Sequence, residues 1–287
     1  MGTTSEGQMK MSPEYRTVPV VTGYIEPGAG FSEIIERSGE LARDGDFLVI
    51  SETPVSVAQG NLVDESRFEP SITAVLLADI WSKYIWGYLL GPILGMKRRT
   101  IMNLRRLPPE ARAHKEVVLR YYGLKHALKP ASEAGIDLSN VPGTLVSLLP
   151  ENPSGVANFI AGEILRRFGA DVTTVIIDTD ATYSILGRYF TSLPLAVPGI
   201  RSDTGFLGYL AGRFSGRTWP TPLASSRPVK LEVLLEVASA AEEYHRRNTE
   251  RATVYDMARE FRDRPGNITV EMLSSVEHTP AVIVRPP

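Results

Sequence analysis

Two short runs hold the residue types that bind hard cations. Val175-Ile176-Ile177-Asp178-Thr179 is an apolar, β-branched run that ends in a carboxylate and a hydroxyl. A buried strand with that ending delivers oxygen ligands to the edge of an α/β sheet. Ala134-Gly135-Ile136-Asp137-Leu138-Ser139-Asn140 is a glycine turn carrying an Asp, a Ser and an Asn within four positions. Together the runs offer two carboxylates, Asp137 and Asp178, to a divalent metal such as Mg²⁺ or Mn²⁺. Thr179 can add a hydroxyl, and Asp180 is either a third ligand or a solvated neighbour. The plain reading of Asp137 is a turn or helix-cap residue.

Elements that could position these groups alternate along the chain. Val18 to Thr22 reads as a strand, and Phe31 to Leu41 as an amphipathic helix with Ser32 as its N-cap. Asp44-Gly45-Asp46 is a turn, and Phe47 to Ser51 a buried strand. Further on, Thr144 to Leu149 reads as a strand. Asn152 then caps a helix that begins at Pro153 and closes at Gly169. Val172 to Ile177 is the next strand, Leu231 to Arg246 and Val254 to Phe261 are helices, and Ala281 to Val284 is the last strand. The glycines between Gly199 and Arg213 fit a pocket-lining loop or a connection at a sheet edge. The order implies an α/β or mixed α+β architecture.

Composition narrows the chemistry. The 287 residues carry a net charge of −2 and no cysteine. Disulfides, thiolate metal sites and thiol catalysis are therefore excluded, which fits a cytoplasmic protein. The near-neutral charge points neither to nucleic acid nor to a membrane. There is no phosphate-binding loop of the Gly-x-x-x-x-Gly-Lys type, and Gly28-Ala29-Gly30 lacks the third glycine of a dinucleotide fingerprint. The histidines His114, His126, His245 and His278 lack metal-site spacing. Residues 1–16 read as a disordered lead-in. Ile80 to Met96, broken by Lys83, Gly87, Gly91 and Pro92, reads as a buried or interface helix rather than a membrane span.

Residues 71–129 differ in character and read as a helical insertion into a unit formed by 17–70 and 130–287. Trp81, Tyr84, Trp86 and Tyr88 mark its first part. Its second part is basic from Lys97 to Lys129, with only Glu110 and Glu116 against the cations. That pattern is either a solvated face or a platform for phosphates and acidic substrates.

Several blocks, in order, resemble the coenzyme F420-0:gamma-glutamyl ligases. Asp44 to Ile50 followed by Ser56 to Gly60 resembles their DGDVLVV…SKAEGR signature, and Ala134 to Asn140 their AGIDxSN. Leu148 to Pro153 resembles LLPxDP, Val175 to Thr179 a strand ending in DT, and Pro280 to Arg285 the closing PAVVVRG. The resemblance implies an unusual α/β fold, a homodimer, and a GTP-dependent ligase using Mn²⁺ or Mg²⁺. Such an enzyme joins L-glutamate to a carboxylate of an anionic small-molecule acceptor through an acyl phosphate. By position, Asp137 and Asp178 would be catalytic and would hold metal with Thr179. Gly23, Tyr24, Thr53 and Asn140 would lie at the nucleotide. The chain also departs from the pattern: Val57 replaces a lysine, Gln59 a glutamate and Asn61 an arginine. Tyr209 to Arg213 lacks the aspartate of DLYGR, and Met272 to Thr279 replaces an acidic glycine-rich loop, where Glu277 could stand in as metal ligand. These changes leave an alternative: a non-catalytic nucleotide- or RNA-binding relative on the same fold.

Overall fold

The apolar strand runs are continuous rather than alternating because both faces of their sheet are covered. In the computed structural model, which describes residues 15–131, 133–248 and 267–287, the central strands are β2 (Phe47–Ser51), β5 (Thr173–Ile185) and β9 (His278–Arg285). Leu48, Ile50, Ile176 and Ile283 point to one face. They pack there with Ile34 and Ile35 of α1 (Ser32–Leu41) and with Ile160 and Ile164 of α8 (Pro153–Phe168). Val49, Val175, Ile177, Val282 and Val284 point to the other face. They meet Leu234, Leu235, Ala238 and Ala241 of α10 (Leu231–Asn248). Each such side chain, fully buried, contributes roughly 1.5–3 kcal/mol.

The seven-stranded sheet runs β1-β9-β2-β5-β6-β7, with β8 paired to β5. Its remaining strands are β1 (Arg16–Thr22), β6 (Arg188–Thr191), β7 (Ile200–Arg201) and β8 (Thr218–Ser225). The mixed α/β class read from the sequence is thus observed. Strands β2 and β5 are parallel neighbours, in register from Phe47↔Thr173 to Ser51↔Ile177. The residues that follow that last pair, Glu52 and Asp178, therefore leave the same sheet edge side by side.

Most expected elements stand, with shifted ends. The helix at Asn152 does so in detail: the Asn152 side chain accepts from the Gly155 N–H at 3.1 Å, and Gly169 closes the helix in the left-handed conformation. Ser32 is not the N-cap of α1; Phe31 occupies that position without a side-chain hydrogen bond. The strand expected over Val172 to Ile177 continues to Ile185. Its register against β8 slips between Asp178 and Ala181, a bulge that re-aims Thr179 and Asp180. Gly199 to Arg213 is not an open loop, for it contains β7 and the helix α9 (Gly205–Gly212). A Cβ at Gly212 would fall 2.4 Å from the Tyr183 ring, so this glycine serves close packing. Arg16, the last residue of the expected lead-in, already belongs to β1. Residues 1–14 and the helix expected over Val254 to Phe261 lie outside the described residues.

Residues 72–127 are helical, as expected. Ile72–Val75 (α3) leads into a π-helix over Leu76–Leu90, followed by α4 (Gly91–Ile93), α5 (Arg98–Arg105), α6 (Ala111–Tyr122) and α7 (Leu124–Ala127). The wide π turn brings residues five apart onto one side. Accordingly Leu77, Ser82 and Gly87 are all buried, and Trp81 and Trp86 pack edge-on at 6.3 Å against each other and against Phe206. No helix among the described residues is long and apolar enough to cross a membrane.

Most of the basic section is neither a solvated face nor a platform. Arg112 pairs with Asp79 at 2.7 Å, Arg120 with Glu116 at 2.8 Å, and Lys125 with Asp203. Arg105 donates to the Gly87 carbonyl at 2.7 Å and lies over the Tyr88 ring. Lys115 is buried; it donates to the Ala127 and Lys129 carbonyls and pairs with Glu133. Arg105, Arg112, Lys115 and Lys125 hold helices to one another and to the body, while the Arg120 pair lies within α6.

Candidate active site

A cavity of about 1010 Å³ opens at the carboxyl edge of β2 and β5. Its lining includes Tyr24, Glu52, Thr53, Asp137, Asn140, Thr179 and Glu277. Gly23 is outside the lining; its N–H is held by Glu33 Oε1 at 2.7 Å. Tyr24 donates its hydroxyl to the Asn140 carbonyl at 3.3 Å, which joins the first strand's end to the 134–140 turn.

That turn is fixed from both sides. The Asp137 main chain bridges to Ser147, with N–H···O distances of 3.2 and 2.9 Å. Its carboxylate accepts from the Ser139 N–H at 2.9 Å and from the Thr53 hydroxyl at 3.1 Å. Burial is the main reason that the Asp137 carboxyl is raised above the usual range. Gly135, at φ +72°, lets the turn approach Asp178. A Cβ there would fall 2.7 Å from Asp178 Oδ2 and 2.5 Å from Leu149.

Asp178 is buried, and its Oδ1 accepts from the Asp180 N–H at 2.6 Å. Its Oδ2 is buried without a hydrogen-bond partner. Burial, then the Asp180 charge, push its carboxyl up to about 8, while Lys129 pulls the other way. Lys129 closes the basic section, is itself buried, and stands 2.5 Å from Asp180 Oδ2. The section therefore delivers one cation to the acidic cluster.

Glu52 completes the cluster and is the residue that sequence reasoning missed. It opens α2 (Glu52–Gln59), is buried, and accepts from the Thr53 hydroxyl at 3.0 Å through Oε1. Its Oε2 has no partner. Burial, Asp178 and Asp137 raise its carboxyl well above the usual range, in that order. A signal was present: Ser51-Glu52-Thr53 ends a buried strand just as Asp178-Thr179 does. The turn that carries Asp137 thus lies against Asp178, with Gly135 packed on Asp178 Oδ2.

This donor set fits a hard divalent cation. Buried like charges with orphaned oxygens are costly unless a cation or protons compensate. Among the described residues, no three His, Asp or Glu side chains converge on one point. A metal would therefore draw part of its shell from hydroxyls, water or a bound phosphate.

The departures at Gln59 and Asn61 have structural roles. Gln59 exchanges two hydrogen bonds with the Glu151 backbone, at 2.8 and 3.0 Å, and Asn61 donates to the Leu149 carbonyl at 2.8 Å. Both clasp the loop that carries Leu149 against Gly135.

A parallel pair of strands delivering carboxylates to a cavity is the arrangement of an α/β enzyme. The sequence pattern of the F420-0:gamma-glutamyl ligases matches residues 19–285, so the chain belongs to that family. An uncharacterized protein of Methanocaldococcus jannaschii is 40% identical over 286 residues, covering 94% of this chain and 96% of the relative. The coenzyme F420:L-glutamate ligase of Methanopyrus kandleri is 30% identical over 169 residues, 58% of this chain and 60% of that protein. The enzyme of the same name from Methanothermobacter thermautotrophicus is 32% identical over 145 residues, 50% of this chain and 52% of its own length. The chain thus aligns with only about half to three-fifths of these ligases.

Proposed function

We propose that the protein is a nucleotide- and divalent-metal-dependent amide ligase that joins L-glutamate to a carboxylate of an anionic, coenzyme F420-0-like acceptor. The observation that carries this reading is the trio Glu52, Asp137 and Asp178, with two orphaned oxygens: Glu52 and Asp137 line a cavity large enough for a nucleotide and an acceptor, and Asp178 lies buried behind its Thr179 wall. Family membership supplies the reaction class.

In this reading Asp137, Asp178 and Thr179 would hold Mn²⁺ or Mg²⁺, with Glu52 beside them and Glu277 elsewhere in the cavity lining. The metal would neutralise phosphate charge and orient the GTP γ-phosphate. Thr53 keeps the Asp137 carboxylate aimed, and Asn140 and Tyr24 border the nucleotide. An acceptor carboxylate oxygen attacks the γ-phosphorus and GDP leaves, giving an acyl phosphate. The glutamate amine then attacks the acyl carbon, phosphate leaves, and the amine proton passes to solvent. The chain's own contribution is to position reactants and hold water out of a largely buried site. A homodimer belongs to the same reading. RNA binding has less motive, because Arg105, Arg112, Lys115, Arg120 and Lys125 are engaged within the protein.

The test is incubation of the purified chain with GTP, Mn²⁺, L-glutamate and a coenzyme F420-0-type acceptor. Amide product by mass spectrometry, with equimolar phosphate and GDP, is expected, and Asp178→Asn should abolish it while leaving the fold intact. Wild-type turnover by Asp178→Asn would sink the assignment.

A further inference from the structure

A lysine buried among carboxylates loses its hydration, and only close partners offset that loss. Lys129 is 4% exposed, and its Nζ stands 2.5 Å from Asp180 Oδ2. Its main chain is fixed from two sides. The N–H donates to the His126 carbonyl at 3.0 Å, and the carbonyl accepts from Lys115 Nζ at 2.7 Å. The ammonium also lies 5.8 Å from the centre of the Tyr209 ring. Asp180 is held just as firmly. Its N–H donates to Asp178 Oδ1 at 2.6 Å, and its carbonyl accepts from the Thr221 hydroxyl at 2.6 Å. With both main-chain groups engaged, only the Asp180 carboxylate is left to turn, and Lys129 sets where it points. Thr179, between the two aspartates, reaches the cavity lining; Asp180 does not.

We infer that Lys129 is a positioning residue for the metal site: its ammonium holds the Asp180 carboxylate out of the metal's shell and leaves Asp178 Oδ2 as the free oxygen. The division of oxygens carries the inference. Asp178 Oδ1 is taken by the Asp180 N–H, Asp180 Oδ2 by Lys129, and Asp178 Oδ2 has no partner. The two aspartates repel each other, and the Lys129 charge acts on Asp178 in the opposite sense. A hard divalent cation that must also carry a phosphate takes one or two carboxylates and leaves its other positions to water and phosphate. Asp137 and Asp178 already make two. A further carboxylate from Asp180 would bind the bare metal harder and fill a position that phosphate needs. The inference rests on the metal half of the ligase reading and is independent of its acceptor and its amino acid.

The probe is Mn²⁺ alone, its binding to the nucleotide-free full chain read from the paramagnetic resonance signal of the free ion. Lys129→Met keeps the apolar stem and removes the charge. It should tighten Mn²⁺ binding by about tenfold or more, because a nearby positive charge is gone and Asp180 is released. The same variant, without metal, should melt at a lower temperature, because Asp180 has lost its partner. Lys129→Met/Asp180→Asn removes both charges and should bind Mn²⁺ near the wild-type affinity. A lysine that merely holds the fold would leave Mn²⁺ affinity unchanged or weaken it when lost, and either result in a folded Lys129→Met overturns the inference. Should Lys129→Met not fold, the double variant decides: near-wild-type affinity supports the inference, and lost affinity would make Asp180 itself a ligand and overturn it. A wild-type chain that binds no Mn²⁺ removes the inference and the metal reading together. Wild-type binding that Lys129→Met leaves unaltered removes the inference alone.

Discussion

Glu52 shows what the site costs the protein. Three carboxylates held close in a buried place repel one another, and each raised carboxyl marks a charge that opposes folding near neutrality. Glu52→Gln keeps the side chain's shape and its acceptor for Thr53 while removing one charge. It should raise the unfolding free energy of the ligand-free protein by about 1–3 kcal/mol and weaken the Mn²⁺-dependent nucleotide shift. Urea denaturation with and without ligand would show both; a destabilised ligand-free variant would contradict the electrostatic account. Asp137, Asp178 and Thr179 were legible in the sequence because carboxylates at turns and strand ends stand out from apolar runs. Their proximity was not, since it depends on β2 and β5 being parallel neighbours, a non-local pairing. Glu52 was hidden for the same reason, as its meaning comes from Ser51↔Ile177.

Elements were legible where local chemistry decides them, as in α8 with its Asn cap and closing glycine. They were lost where polar residues interrupt a strand, as at Asp178-Thr179-Asp180 in β5, or where close packing rather than turning explains glycines, as in α9. The β5–β6 hairpin is a telling case. Ile185 pairs with Arg188 across Leu186-Gly187, both at positive φ, a type I′ turn. A leucine there is strained and is 97% exposed. Leu186→Asn should stabilise by roughly 0.5–1 kcal/mol, read as a rise in melting temperature; a fall would mean that Leu186 has a role beyond the turn. A second element-scale device ties α6 to the turn that carries Asp137. His114 Nδ1 lies 2.5 Å from Glu65 Oε1, its Nε2 lies 3.8 Å from Glu133 Oε2, and Lys115 pairs with Glu133. Burial opposes the imidazolium, but Glu65 and Glu133 outweigh it and raise His114 from 6.5 to about 10. A raised histidine contributes stability that is complete below pH 6.5 and fades as pH climbs toward 10. Lys115, lowered chiefly by burial, acts in the opposite sense at the alkaline end. The His114 contribution should therefore decline from pH 6.5 upward, on top of the fall that the raised carboxyls cause at lower pH, and His114→Gln should flatten the part above pH 6.5 while costing about 3–5 kcal/mol at neutral pH for the broken buried pair. An unchanged pH slope in His114→Gln would remove the histidine from this role.

At the scale of the whole molecule, a doubly covered sheet supplies rigidity and a helical section packs against α9 through Trp86, Phe206 and Tyr209. The family pattern spans both, from residue 19 to 285. Composition alone suggested an anion platform from the basic run. The structure spends most of those cations on internal pairs and on carbonyls, leaving Lys129 at the acidic cluster, Arg99 at the cavity, and Lys97, Arg98 and Arg106 exposed. Charge counting cannot foresee this, because it depends on which carboxylates and carbonyls the tertiary fold brings near. The central claim is the proposal that Asp137, Asp178 and Thr179, with Glu52 beside them, would hold a metal that in turn would hold a nucleotide. Its most direct test is the melting temperature of the full chain with Mn²⁺, with GTP, and with both. The account predicts a shift of several degrees that needs both ligands, about 3 kcal/mol at a hundredfold excess over Kd, and that Asp178→Asn removes. No shift with the pair, or the same shift in Asp178→Asn, would contradict it.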